Sequence, residues 1–347
     1  MKISKIVAAI VAGLFSLSSA FAGEMTVTGS MQTTYQSNSN TNTGNPLGLN
    51  TDLAFTGTTE VNGNAVTWTM GTDGTFLGDA GADHKLAIAT SYGTFQVGNS
   101  DDAANNVDDI TPSAFEEANG SGGGLYGAGT TGSDFGSGME GSMSIGYRNA
   151  DIAGTGISLQ YNYYPRLDGK TNNEKGASAA NNTAASSAQS ISIATTLANV
   201  PGIGSTPLSG LKLTAGYEES DSRVRGGENK EGATVAVNYA MGPVSLGYQK
   251  KAYQGLAALG SKGFYRDDVI GIAYAVNDSF AISFNRYSST EHNNDGKNDE
   301  QETDAINLAY TVGGLTIAFQ NSSTDNYDYS STAKSRDTNT ISLKTAF

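Results

Sequence analysis

The sequence predicts an all-β chain, a 16-stranded antiparallel transmembrane β-barrel with long loops on one side and an inward-folded third loop. Three observations lead there. After residue 22, apolar and polar residues alternate with a period of two almost throughout, the pattern of strands with one apolar and one polar face. The hydrophobic fraction, 37%, is low for a large dry core and suits a thin outward apolar band around a wet interior. The connections sort by length, long polar loops alternating with short turns, which a stacked sandwich has no reason to do.

The chain opens MKISKIVAAIVAGLFSLSSAFAGE. Lys2 and Lys5 make a basic start, Ile6–Leu17 an apolar run, and Ala20-Phe21-Ala22 a small-residue cleavage site. This reads as a signal peptide over 1–22, leaving a barrel domain over 23–347. The first strand alternates Met25, Val27, Gly29, Met31, Thr33 and Tyr35 with Thr26, Thr28, Ser30, Gln32 and Thr34. A second (Leu53 to Val61) turns at Asn62-Gly63-Asn64, where positive φ is tolerated, into a third carrying Val66, Trp68 and Met70. Leu86, Ile88 and Thr90 turn at Tyr92-Gly93 into Phe95 and Val97. Then come Met143–Tyr147, Ile157–Tyr163, Ile191–Leu197 and Leu211–Tyr217. Three hairpins follow, turning at Met241-Gly242, Asn277-Asp278 and Gly313-Gly314. The last strand carries Ile341, Leu343, Thr345 and the terminal Phe347.

Parity sets the facing. The apolar set touches lipid or a neighbouring subunit, and the Ser, Thr, Asn and Gln between them line water. Aromatics near strand ends, such as Tyr239, Phe280, Phe319 and Phe347, fall where interfacial girdles are expected. The lumen-facing cations are then Lys85, Arg148, Lys212, Lys251 and Lys344, scattered along the wall.

The chain has no cysteine, so pairing and packing alone must stabilise it. Removing Lys2 and Lys5 from the 20 basic residues leaves 18 against 34 acidic ones, a net charge of −16. That balance excludes a nucleic-acid partner, which needs a basic footprint. No later stretch has the 18 or so consecutive apolar residues of a spanning helix.

Residues 99–141 read as neither strand nor helix. Asp101, Asp102, Asp108, Asp109, Glu116 and Glu117 crowd their first part, and glycine, serine and threonine fill the rest. A structureless segment of this length inside a compact domain is functional as a rule. Folded inward it narrows the lumen, and its carboxylates favour cations.

Other patterns carry less. Glu291, Asn293, Asp295, Asp299 and Glu302 have roughly the spacing of a calcium loop, but strands rather than helices flank them, so a solvated acidic hairpin competes with a Ca2+ site. No cofactor is required. Gly122-x-Gly124-x-x-Gly127 matches a dinucleotide fingerprint as text, without the strand and helix it needs. Catalysis lacks candidates: His84 and His292 are the two histidines, and neither is placed beside a serine nucleophile. An adhesin or purely structural barrel would differ from a channel in lacking conductance.

Three stretches carry a family resemblance: Tyr147-Arg148-Asn149 followed by Gly156–Tyr161, Tyr92–Gly98, and the terminal Phe347. Together with the overall pattern they resemble the general porins of Gram-negative bacteria. The resemblance implies a passive diffusion channel in the outer membrane, with a substrate-selective channel as the alternative. It implies a third loop whose carboxylates face basic wall residues, a homotrimer, contact with outer-membrane lipid and lipopolysaccharide, and Phe347 as a signal to the barrel-assembly machinery. Thr111–Glu117 is similar to the family's Pro-Glu-Phe bend with the acids displaced. The arginine cluster many relatives carry on their early strands is missing: the first three strands hold no lysine or arginine.

Overall fold

The computed structural model describes residues 23–39, 44–72, 83–99, 102–118, 135, 139, 141–167, 187–221, 229–254, 262–293, 298–332 and 335–347. The expected signal segment, Asp101, Asp295 and the Gly122–Gly127 pattern lie outside them. Sixteen strands form the barrel. The first eight are β1 (Glu24–Asn38), β2 (Leu47–Val61), β3 (Asn64–Thr72), β4 (Asp83–Thr90), β5 (Gly93–Gly98), β6 (Ser144–Asn149), β7 (Ile157–Tyr164) and β8 (Ala188–Thr196). The rest are β9 (Leu211–Ser220), β10 (Lys230–Met241), β11 (Val244–Gln254), β12 (Lys262–Asn277), β13 (Phe280–Asn293), β14 (Asn298–Val312), β15 (Leu315–Asp325) and β16 (Arg336–Ala346).

Each strand pairs antiparallel with its sequence neighbours, and β1 pairs with β16, so the sheet closes without an edge. Closure is what a bilayer demands, because an unpaired N–H or C=O has no partner in hydrocarbon. Burial is inverted relative to a water-soluble domain. Gln249, Asn285, Gln301 and Asn307 point inward at 0% exposure, while outward Val235, Ile306 and Ile341 are 56%, 54% and 47% exposed. Apolar burial occurs where the third loop and other inward segments meet the inner wall, as in Ala118 with Val269, Tyr287 and Ala305, or Val107 with Phe135.

Several strands outrun the hydrophobic alternation. The loop expected over 289–302 is a strand hairpin, β13 reaching Asn293 and β14 starting at Asn298. Its outward face beyond the Phe284–Ile306 pair carries charge, Arg286 holding Asp304 at 2.6 Å, and on the neighbouring β11 and β12 Lys250 holds Asp268 at 3.0 Å. Above the bilayer a strand meets water on both faces, so it needs no apolar residues and leaves no alternation to read. At two other ends the expectation runs long. Leu197 belongs to a 3-10 turn, Leu197–Asn199, after β8, and Met143 precedes β6.

Of the residues with calcium-loop spacing, the described Glu291, Asn293, Asp299 and Glu302 do not all share one face. Glu291 and Asp299 face each other in the ladder with Glu291 turned inward, its carboxylate accepting from the Tyr265 hydroxyl at 2.6 Å. Glu302 points to the opposite face, beside Arg286 at 3.4 Å. A sheet with period two puts Glu291 and Glu302 on opposite sides, so no single ion reaches both.

Candidate functional site: the loop across the lumen

The segment between β5 and β6 folds into the barrel. Its longest described stretch, 102–118, lies across the inner wall from β7 to β15. Asn106 Nδ2 donates to Gln160 Oε1 on β7 at 3.1 Å, and the Ala103 N–H to Ser190 Oγ on β8 at 3.3 Å. Further along, the Ala114 N–H donates to Ser283 Oγ on β13 at 2.9 Å, and amides on the wall donate to loop carbonyls. Asn238 serves Ile110 at 2.9 Å, Gln249 serves Val107 at 2.9 Å, Asn285 serves Pro112 at 3.0 Å and Gln320 serves Glu116 at 3.1 Å. Irregular backbone buried inside a barrel needs such partners, since each unmade bond costs about 1–3 kcal/mol.

Space for the loop is cut by glycine. Gly247 on β11 and Gly271 on β12 are directly paired, both turned inward, and Pro112 sits on the bare backbone between them. A Cβ at 247 would lie 2.2 Å from Pro112 Cδ, and one at 271 would lie 2.6 Å from the Pro112 carbonyl oxygen. On β9, Gly216 leaves the same room for Val107.

The acids do different jobs. Lys251 on β11 is 2% exposed beneath the loop, with Asp108 at 2.5 Å and Asp109 at 2.7 Å from its Nζ. Asp109 adopts a left-handed backbone, φ 38°, which an aspartate tolerates better than most residues. It brings its carboxylate onto the lysine while remaining 50% exposed; Asp108 is 15% exposed. Burial pushes the Asp108 carboxyl up to about 6 against the pull of Lys251. Glu117 is buried and accepts from both the N–H and the hydroxyl of Thr111 at 2.5 Å; burial and the nearby Asp109 push it up to about 7. Asp102 is buried where the loop begins, accepts from the Ala104 N–H at 2.9 Å, and is raised by that burial. Glu116 is half-buried and raised by burial and Asp109, with Lys344 of β16 pulling the other way.

The predicted cations are dispersed. Lys85 is half-buried on β4 beside the start of the loop. Arg148 and Lys212 are exposed inward near the short-turn end, Arg148 donating to Gln160 at 3.0 Å. Lys251 is the one brought into contact with loop acids among the described residues. Among the described residues neither histidine meets a nucleophile: the His292 ring stacks on Phe264 at 4.2 Å on the outer face, and His84 is exposed there on β4. Sequence reasoning missed the docking groove. Its signal was present as inward glycines and amides at matching heights on successive strands, legible once a register is assumed.

Two comparisons match these features. A sequence profile described as Gram-negative porin matches residues 7–346. Among solved structures, in-vitro folded OmpT, an outer membrane protein of Vibrio cholerae, superposes with a TM-score of 0.66 at 13% identity, covering 95% of this chain and 99% of that one. Salmonella typhi OmpF in complex with daunomycin gives 0.63 at 14% identity, covering 94% and 98%. An anion-selective porin from Comamonas acidovorans gives 0.63 at 10% identity, covering 94% and 100%. No protein of curated function matches the sequence.

Proposed function

The chain belongs to the Gram-negative porin family, and from that premise we propose that it is a passive diffusion channel for small hydrophilic solutes and ions, with a preference for cations. Its place is the outer membrane, and family and fold point to a channel rather than an enzyme. The carrying observation is the loop fixed across the inner wall of a closed barrel, where it narrows the path. Fold alone leaves the sign of selectivity open, since one structure of the same fold is described as anion-selective. Cation preference is supported by the half-exposed Asp109, which with Asp108 gives two carboxylates to the single Lys251, and by Glu116 and Asp52 inside the lumen, opposed among the described residues by Lys85 and Lys344. Recording from refolded protein in planar bilayers tests the channel, and reversal potentials in a salt gradient test the sign. Absence of open-channel steps sinks the first, and an anion preference the second.

Assembly as a homotrimer is supported by an asymmetry of the outer surface. The described outward positions of β1–β5 carry no aspartate, glutamate, lysine or arginine up to their upper ends, where Tyr35, Leu47 and Leu49 are 49%, 64% and 63% exposed. The outward positions of β9–β14, by contrast, carry Glu219, Glu231, Lys250, Asp268, Arg286 and Asp304. An outer face apolar to the ends of its strands suits a cover, and a second copy of the same face supplies one. A structure of V. cholerae OmpT is described as its trimer form. Cross-linking at Leu49→Cys in intact membranes checks the assignment of this face.

A further inference from the structure

The connection between β15 and β16 also turns into the lumen. Tyr329, the last residue of a 3-10 turn over Tyr327–Tyr329, is 7% exposed. Its hydroxyl lies 2.7 Å from Ser289 Oγ on β13, and its ring centroid 5.6 Å from that of Tyr265 on β12. The Asp328 N–H donates to Gln301 Oε1 on β14 at 2.9 Å, and the Arg336 guanidinium caps the Tyr327 ring from β16. Asn326, Asp328 and Tyr329 all have a left-handed backbone, with φ 52°, 56° and 55°. Asparagine and aspartate tolerate that region, but tyrosine enters it rarely, so residue 329 stays there only while its contacts hold.

The seat of this segment is one row of the barrel wall. Lys251 pairs with Asp267 across β11 and β12, Asp267 with Ser289 across β12 and β13, and Ser289 with Gln301 across β13 and β14. All four point inward and are 2% exposed or less. The third loop grips one end of the row, with Asp108 and Asp109 on Lys251, and the β15–β16 segment grips the other, on Ser289 and Gln301. Between them Ser289 Oγ donates to Asp267 Oδ1 at 2.6 Å, so its single proton is spent and the Tyr329 hydroxyl is the donor to Ser289. The Tyr287 hydroxyl also donates to Asp267, and Tyr287 packs with Val269 and Ala305 around Ala118, at the far end of the stretch 102–118.

We propose that the β15–β16 segment is a strap that braces the third loop through this row, so that the two inward segments loosen together; its effect on conduction rests on the channel reading above. Polar side chains buried this deeply keep their places only while each keeps its partners. Lifting Tyr329 strips Ser289 of its donor and opens Asp267 and Gln301 to water. Tyr287 then loses a fixed acceptor, and the packing over Ala118 slackens along a continuous chain of contacts. The left-handed tyrosine adds a bias toward release once its seat gives way. The coupling is reciprocal, so a variant that lifts the third loop also loosens the strap.

The test reads the third loop while changing the strap. The chain has no cysteine, so Ala118→Cys in the full-length folded protein gives a single reporter, buried in the docked loop and reached by a small methanethiosulfonate reagent when the end of the loop lifts. On that background, Tyr329→Phe keeps the ring and removes the bond to Ser289. Labelling is expected to quicken about five-fold, the population change that one net hydrogen bond gives. Ser289→Ala breaks the row itself and quickens labelling at least as much. The double variant is then no faster than Ser289→Ala alone, because both changes act through one contact. Unchanged labelling in both single variants overturns the proposal, as does a double variant whose effect is the product of the two singles. Single-channel records of the same proteins are expected to show more frequent steps to a wider open level in Tyr329→Phe than in the reporter background. A reporter protein that shows no open-channel steps at all defeats the channel reading instead, while the labelling rates still decide the brace.

Discussion

Phe347 closes the barrel against Gly29. The Phe347 N–H donates to the Gly29 carbonyl at 2.9 Å and the Gly29 N–H to the Phe347 carbonyl at 3.0 Å. The phenyl ring occupies the place of a missing side chain: a Cβ on residue 29 would lie 2.5 Å from its tip. The last residue of the chain thus completes the β1–β16 seam.

Deleting Phe347 removes both bonds at about 1 kcal/mol each, so the barrel loses roughly 2 kcal/mol and closes more slowly. Gly29→Val keeps the bonds but displaces the ring, which is 77% exposed and able to swing away. The deletion is expected to lower the heat-resistant folded fraction on unboiled electrophoresis. Gly29→Val should lower it less if the backbone bonds matter, and equally if the seated ring is what assembly reads.

The glycine pair under Pro112 makes a second prediction. Gly271→Val or Gly247→Leu puts atoms where the loop backbone and the proline ring lie, and overpacking of this kind costs about 1–3 kcal/mol. Both positions lie in regular strands whose ladder tolerates a side chain. The barrel is expected to survive while the loop lifts, giving larger single-channel conductance and faster proteolysis within 102–118. Unchanged conductance in both variants would mean that Pro112 does not fix the loop.

Much of this was legible before the structure. Period-two alternation placed every transmembrane strand because lipid on one side and water on the other enforce it, and the acidic segment 99–141 stood out by composition. Legibility ended where the same physics stopped acting. Arg286, Glu302 and Asp304 lie on strands that have left the bilayer, so the hairpin they belong to read as loop. The fate of each loop acid was also hidden, because whether Asp108 meets Lys251 or Glu117 meets Thr111 depends on the loop's path over distant strands. Parity placed Lys251 inward correctly, yet could not say that the loop would cover it.

The buried carboxyls make docking pH-dependent. Glu117 moves from an ordinary 4.5 to about 7 in the docked loop, so that state holds its proton more tightly than a lifted loop. Its contribution is complete below about 4.5 and is lost as pH rises through 7; a shift of this size corresponds to about 3 kcal/mol. Asp108, raised from 3.8 to about 6, acts in the same direction at lower pH. Protection of loop amides, with the intrinsic base catalysis of exchange divided out, should therefore fall between pH 5 and 8. Glu117→Gln keeps an acceptor for Thr111 and cannot ionise, so its loop should be better protected than wild type at pH 8 and equal to it at pH 5.

Lys251 gives the sharpest mutational contrast. A lysine 2% exposed with carboxylates at 2.5 and 2.7 Å is a buried ionic cluster, stable only because its members satisfy one another. Lys251→Met leaves Asp108 buried without a countercharge, and breaking a buried pair from one side costs about 3–5 kcal/mol. Part of that cost is escaped by protonation, since Asp108 already sits at about 6, so the lesion should be milder in acid than at pH 8. Adding Asp108→Asn removes the stranded charge, and the double variant should recover much of the docking lost in Lys251→Met alone. Thermal melts and loop proteolysis of the two variants at pH 5 and pH 8 measure this directly. If the double variant is as damaged as the single one at pH 8, Lys251 holds the loop by packing its stem rather than by charge.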